Sequence, residues 1–194
     1  MPLVVTVDQR DSRRRPDLVP ATLAALSAVP TLRPFQRTVG DEFQGVLDEP
    51  AALAATLELL LREDEWWIGV GIGRVELPLP DDARDGRGPA YLLAREAVTA
   101  AKASPWPVRV LGPADAVALE SAVWLWASVL ARRTTKGWEV ADLADRGLSY
   151  DAVAHKLAIT QSAVSQRARA AGLAETTRAR ALVTELAARC LEAV

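Results

Sequence analysis

The sequence predicts an α+β domain followed by an all-α helix-turn-helix domain, and three observations carry that expectation. The short β-branched runs that read as strands all lie within residues 1–112, whereas from Pro113 onward the apolar spacing is helical. Residues 147–172 read as two short helices meeting at a sharp break. Charge divides in the same sense: residues 1–131 hold 13 Lys and Arg against 18 Asp and Glu, and residues 132–180 hold 9 against 5. The expected parts are the α+β domain over 1–112, a linker helix in 113–134, and the helix-turn-helix domain with its C-terminal helix over 135–194.

Leu3 to Val7 is a β-branched run, hence a buried strand, with Asp8 at its C-terminal end. Gln9 to Arg15 is a polar loop, and Asp17 is placed to cap a helix from Leu18 to about Ala28. Arg33–Val39 and Glu42–Asp48 form two strands joined tightly at Gly40-Asp41, a hairpin. Pro50 opens an Ala- and Leu-rich helix to about Arg62. Trp66–Val75 is a strand whose Gly69, Gly71 and Gly73 leave one face bare, so a helix or a ligand must pack closely there. After a Pro- and Asp-rich loop, Pro89 starts a helix to about Ser104, and Val108–Leu111 is the last strand. This order gives one sheet with helices mainly on one face. Helices over 113–132, 135–146 and 174–192 flank the helix-turn-helix pair.

In that pair, Ser149 caps a helix through Leu157, and Asp151 lies in its first turn where the helix dipole favours a carboxylate. Thr160 caps the second helix, which turns Val164 and Ala168 inward. Its outward face carries Gln161, Ser162, Ser165, Gln166 and Arg169, with Arg167 beside them, and no acidic residue occurs from Thr160 through Leu173. Such a helix fits the major groove of double-stranded DNA. Gln161, Ser162, Ser165 and Gln166 would meet base edges, while Arg167, Arg169, Lys156 and Thr160 would meet phosphates. The alternative is an ordinary helical hairpin with a polar face. Ala158 stands where such turns usually want Gly, and a left-handed alanine costs about 1 kcal/mol, so slight remodelling of the turn is expected. Readers of this kind usually work in pairs on half-sites, so a homodimer is expected.

A second cluster lies at the sheet. Asp8 ends the first strand, and Asp41-Glu42 lie at the turn of the hairpin expected beside it. A strand-end carboxylate next to a hairpin-turn carboxylate can hold Mg²⁺ against a triphosphate; a plainly solvated Asp-Glu turn is the alternative. Arg10 and Arg13 flank the strand end and could grip phosphate. No lysine is expected here, because Lys102 ends a helix and the other lysines lie further on; Arg10, Arg13, Arg14, Arg37 and Arg87 are left for that part.

GDEFQGVL (Gly40–Leu47), IGVGIGRV (Ile68–Val75) and GPAYLLAREAV (Gly88–Val98) resemble blocks of the SatD family. In that family a C-terminal segment follows with counterparts of WEV (Trp138–Val140) and SAVSQR (Ser162–Arg167). The resemblance spans nearly the whole chain and implies a bacterial cytoplasmic protein with a DNA-binding C-terminus. More distantly, VGDEF (Val39–Phe43) is similar to the diguanylate cyclase signature, and Gly88–Arg95 is loosely similar to a helix of class III nucleotide cyclases. That similarity implies a ferredoxin-like, palm-like sheet, with Asp8 and Asp41 as metal ligands, Glu42 as a third, and Gly40 making room for a nucleotide. Two positions depart from it: Val39 replaces a second glycine, and Tyr91 or Leu92 stands in place of the ribose-orienting asparagine.

No apolar run reaches the roughly 18–20 residues of a membrane span, and the start is not signal-like, so no membrane role is expected. The single cysteine, Cys190, excludes an internal disulfide framework and fits a cytoplasmic setting. One His and one Cys leave a zinc site of the usual kind without ligands. These features lead to a sequence-specific DNA-binding regulator whose palm-like domain senses or dimerises, with a nucleotide as its expected ligand. Two rivals stand: a metal-dependent nucleotidyl or phosphoryl transferase tethered to DNA, and an N-terminal domain that is an oligomerisation scaffold alone.

Overall fold

The computed structural model describes residues 1–193; the last residue of the expected 135–194 domain lies outside them. The chain runs β1 (Leu3–Gln9), α1 (Val19–Leu26), β2 (Arg33–Arg37), β3 (Glu42–Leu47), α2 (Pro50–Glu63) and β4 (Trp66–Ile72). It continues through α3 (Pro89–Ala101), β5 (Val108–Leu111), α4 (Ala116–Leu130), α5 (Thr135–Asp145), α6 (Tyr150–Leu157), α7 (Gln161–Ala170) and α8 (Leu173–Glu192). The architecture is α+β: a five-stranded mixed sheet with helices.

The strand order is β2-β3-β1-β4-β5. β1 is antiparallel to both its neighbours, and β4 runs parallel to β5 through the α3 crossover. Central β1 is buried on both faces, which is why its sequence is apolar without alternation. Leu3, Val5 and Val7 join Phe43, Ile68 and Val70 in the main core under α2, α4 and α8, while Val4 faces Val46, Ala90 and Ala94 on the other side. The second face is therefore covered by α3, with the short turn Ala83–Asp85 beside it.

The bare glycine face is explained by α3. A Cβ at Gly71 would stand 2.1 Å from the Ala90 carbonyl oxygen, and one at Gly69 would stand 2.2 Å from the Val98 nitrogen. The close partner is a helix backbone, so this strand face is closed to a ligand.

Packing does not break at residue 112. Leu119, Val123, Trp126 and Leu130 of α4, and Val183, Ala187 and Cys190 of α8, belong to the same core as β1 and β4. The expected linker helix is thus a core helix, and the C-terminal helix returns to the sheet layer. Burial pushes the Cys190 thiol above its ordinary value, as befits a packing residue. A separate small core of Val140, Leu143, Val153, Ala154, Val164 and Ala168 holds α5, α6 and α7 together. Ion pairs tie this unit to the sheet layer. Arg62 of α2 donates two bonds to Asp142 of α5, at 2.8 and 3.0 Å, and Arg180 of α8 reaches both Glu58 at 2.7 Å and Asp145 at 3.2 Å.

Candidate nucleic-acid interface

The helix pair forms as its sequence dictates. The Ser149 hydroxyl accepts from the Ala152 N–H at 3.3 Å, and the Thr160 hydroxyl accepts from the Ala163 N–H at 3.2 Å, so both helices start at their side-chain caps. Between them Ala158 adopts φ +52°, ψ +44°. The Ile159 N–H bonds the Ala154 carbonyl at 3.0 Å, and the Ala158 N–H bonds that of His155 at 3.3 Å, the two closures of a Schellman turn. The turn keeps its left-handed residue although that residue is alanine; the expected remodelling does not occur. Burial of Val153, Ala154 and Val164 in one cluster holds it there.

Inward burial of Val164 and Ala168 fixes which side of α7 meets solvent. Gln161, Ser162, Gln166 and Arg169 are exposed, as are Thr160 and Lys156, while Ser165 and Arg167 are half-buried. Thr160 and Ser162 share a hydroxyl contact at 3.0 Å. Glu139 of α5 lies 3.9 Å from the Arg167 guanidinium, so Arg167 is partly committed within the protein and Arg169 is the freer cation. His155 is exposed on α6.

Arg133 was not legible as part of this unit. It is 7% exposed, in the turn between α4 and α5. Its Nε donates to the Ala171 carbonyl at 2.9 Å, where α7 ends, and its Nη2 donates to the Thr176 hydroxyl of α8 at 2.5 Å. Its guanidinium lies 4.2 Å from the Trp138 ring centroid, and that of Arg62 lies 4.5 Å from the same centroid. Trp138 thereby joins the three-helix unit to α2.

At the sheet end, Asp8 and Glu42 are register partners across β1 and β3. The absence of lysine expected there is overturned. Lys102, one residue past α3, places its Nζ 2.5 Å from Asp8 Oδ2, because α3 crosses the face to which Asp8 points. Glu42 accepts a hydroxyl bond from Thr38 at 2.6 Å. Gly40 has φ +62° and open space at its Cβ position. Its carbonyl accepts from Arg37 at 2.5 Å, and Asp41 is half-buried beside it. Arg10 turns away from the carboxylates, bonding Asp64 at 2.6 Å and lying over Trp67 at 3.9 Å, while Arg13 is exposed in the loop. Among the described residues no three His, Cys, Asp or Glu side chains gather into a group able to hold a metal ion. With Asp8 held by an ammonium and Glu42 by a hydroxyl, the donors present do not fit a resident Mg²⁺. Tyr91, at the position of the ribose-orienting asparagine, is 5% exposed and packs with Ala83 and Ala90; Leu92 is 67% exposed.

Comparison of the chain with protein-family models, with curated proteins and with solved structures finds no match. Among the described residues no helix is long and apolar enough to cross a membrane.

Proposed function

We propose that the chain is a sequence-specific DNA-binding transcriptional regulator, with α7 as the helix that enters the major groove. The solvent-open, acid-free face of α7, on a unit whose core, caps and turn are complete, carries this proposal. Gln161, Ser162, Ser165 and Gln166 read base edges; Arg169, Lys156 and Thr160 meet phosphates, with Arg167 joining them once released from Glu139. The α+β part serves as sensor or dimeriser. Four of its five strands, in the order β2-β3-β1-β4 with α1 and α2 on one face, support a ferredoxin-like, palm-like sheet. Val117 and Leu125 are 72% and 70% exposed on one face of α4, which supports a homodimer. Membership of the SatD family and a cytoplasmic setting belong to the same proposal. Selection of bound fragments from sheared genomic DNA at moderate salt tests it: enrichment of a common sequence is expected, and binding no better than to random DNA would overturn it.

The register pairing of Asp8 with Glu42 beside the open Gly40 turn favours a second reading, a nucleotide ligand at this end of the sheet. Lys102 would then serve its phosphates. A nucleoside triphosphate at 100 times its dissociation constant would stabilise the protein by about 2.7 kcal/mol. No shift in the thermal midpoint with any of the four, with or without Mg²⁺, would leave the sheet as a scaffold; a released product would make it a transferase.

A further inference from the structure

We propose that the cavity where α4 hands the chain to α5 binds a small ring-bearing carboxylate through Arg133, Trp106 and Trp138, and that its occupancy sets the position of α7. The cavity measures about 120 Å³ and lies between Leu61 and Trp106 of the sheet layer and Leu130 and Trp138 of the helical layer. A void on the order of 150 Å³ accepts benzene; this cavity is smaller, so it takes a single ring only with the substituent left at the mouth.

The charges on its wall select the ligand's polar group. Three ionisable residues line it: Arg62, Asp64 and Arg133. Asp142 satisfies Arg62 through two bonds, and Arg10 satisfies Asp64 at 2.6 Å. Arg133 has no carboxylate within 4.0 Å among the described residues, although it is 7% exposed. Burial pulls its pKa below the ordinary guanidinium value, and the more distant Glu58, Asp145 and Asp142 only partly offset this. Its two hydrogen bonds and the Trp138 ring offset part of that desolvation, and a counter-ion would offset more. Nε and Nη2 are bonded to Ala171 and Thr176, whereas Nη1 has no protein acceptor among the described residues and keeps contact with solvent, where an anion can reach it. A carboxylate is an anion whose geometry matches a guanidinium edge, and Trp106 with the part of Trp138 that Arg62 and Arg133 leave open gives the ring its apolar contacts.

The same guanidinium explains how occupancy reaches α7. Its Nε holds the carbonyl of Ala171 at the helix's negative end, where a cation is favourable. A carboxylate that shares Arg133 weakens that hold, and a ring against Trp138 shifts α5, whose Val140 and Leu143 pack with Val164 and Ala168. The coupling to DNA rests on the DNA-reading function proposed above; the binding does not.

Titration of the full-length protein, without DNA, by sodium benzoate and by its neutral isostere benzamide tests the site through the thermal midpoint and tryptophan emission. Benzoate is expected to give a saturable shift that benzamide does not. Arg133→Gln should remove the shift, and so should Ala131→Trp, which plugs the mouth from an exposed position and keeps the test open if Arg133→Gln fails to fold. No saturable shift with benzoate, an equal shift with benzamide, or a shift that survives Ala131→Trp would overturn the site. Saturating benzoate should then change DNA affinity at least about fivefold. Benzoate binding with unchanged DNA affinity would remove the coupling and leave the site. No specific DNA binding at all would remove the regulator function while the site stands.

Discussion

Asp8 on β1 stands directly across from Glu42 on β3, two like charges facing each other in the register of one sheet. Such a pair is destabilising unless something relieves it, and Lys102 does so from the end of α3, its Nζ 2.5 Å from Asp8. The Lys102 side chain is 49% exposed, so water screens the pair and its worth is small. Lys102→Met is expected to cost about 0.5–1 kcal/mol in urea unfolding, less at high salt. Adding Asp8→Asn should recover most of that loss; a double variant no more stable than Lys102→Met would show that the ammonium relieves nothing.

Gly71 admits α3 to the sheet at a distance no other residue allows. A Cβ there would meet the Ala90 carbonyl at 2.1 Å and the Ala94 nitrogen at 2.3 Å, both backbone atoms that yield only if the helix moves. Gly71→Ala is expected to destabilise by about 3 kcal/mol or more, at the upper end of overpacking effects. At Gly73 the nearest atom is 3.2 Å away, so Gly73→Ala should cost distinctly less. Equal losses in chemical denaturation would contradict close helix packing as the reason for the glycines.

What was legible in the sequence was whatever local spacing controls. Alternate glycines in β4 announced a close neighbour, the caps Ser149 and Thr160 announced helix starts, and Val164 with Ala168 announced the buried side of α7. Three things were not legible, each decided by packing between distant segments. Lys102 meets Asp8 across 94 residues, and only the direction in which α3 crosses the sheet brings them together. The break at residue 112 looked like a boundary because strands stop there, yet α4 and α8 supply the layer that buries β1 and β4. Arg133 follows Arg132 with no local pattern to set it apart, and its burial depends on where α7 ends and α8 begins. Asp8 stands across from Glu42, whereas the pair expected to hold a metal was Asp8 with Asp41, and among the described residues no three such side chains gather.

Asp17 ties the start of α1 to the hairpin. Arg37 donates to it at 2.5 Å and also holds the Gly40 carbonyl. The hydrogen bond from Arg37 is the main cause that keeps its carboxyl below its ordinary 3.8, against some opposing desolvation. A depressed carboxyl contributes stability that is present above its unfolded pKa and is lost as pH falls through the folded value. Arg37→Gln should therefore raise the Asp17 midpoint, read by NMR, toward 3.8 and remove its share of the acid dependence of unfolding. An unchanged midpoint would refute the pairing in solution.

Ala158 holds a conformation that alanine disfavours. At φ +52° its Cβ crowds the following carbonyl, and glycine would relieve this at the same backbone geometry. Ala158→Gly is expected to stabilise the protein by about 1 kcal/mol, a rise of roughly 2–4 °C in midpoint for a chain of this size. The gain should leave DNA affinity almost unchanged, because the turn already has the shape glycine would give it. A loss of stability would mean that the turn in solution is not left-handed at this residue.

Arg169 and Gln161 separate attraction to phosphate from recognition of sequence. Arg169 is exposed at the C-terminal end of α7, and nothing acidic on that helix competes for it. A cation in contact with phosphate releases counterions on binding, so Arg169→Ala should weaken all DNA sequences alike. It should also flatten the slope of log affinity against log salt by about 0.9. Gln161 is the first residue of the same helix, uncharged and exposed, at the end that enters the groove. Gln161→Ala should leave the slope intact and relax the preference at one base position, with a cost of about 1–3 kcal/mol on the selected site alone. Arg167, 3.9 Å from Glu139, is the internal control: Glu139→Gln frees it and should tighten binding with a steeper slope. Affinity curves at three salt concentrations for these variants would distinguish a groove-reading α7 from a helix that meets DNA only through its charge. Slopes that respond to Gln161 and not to Arg169 would be incompatible with the orientation of α7 described above.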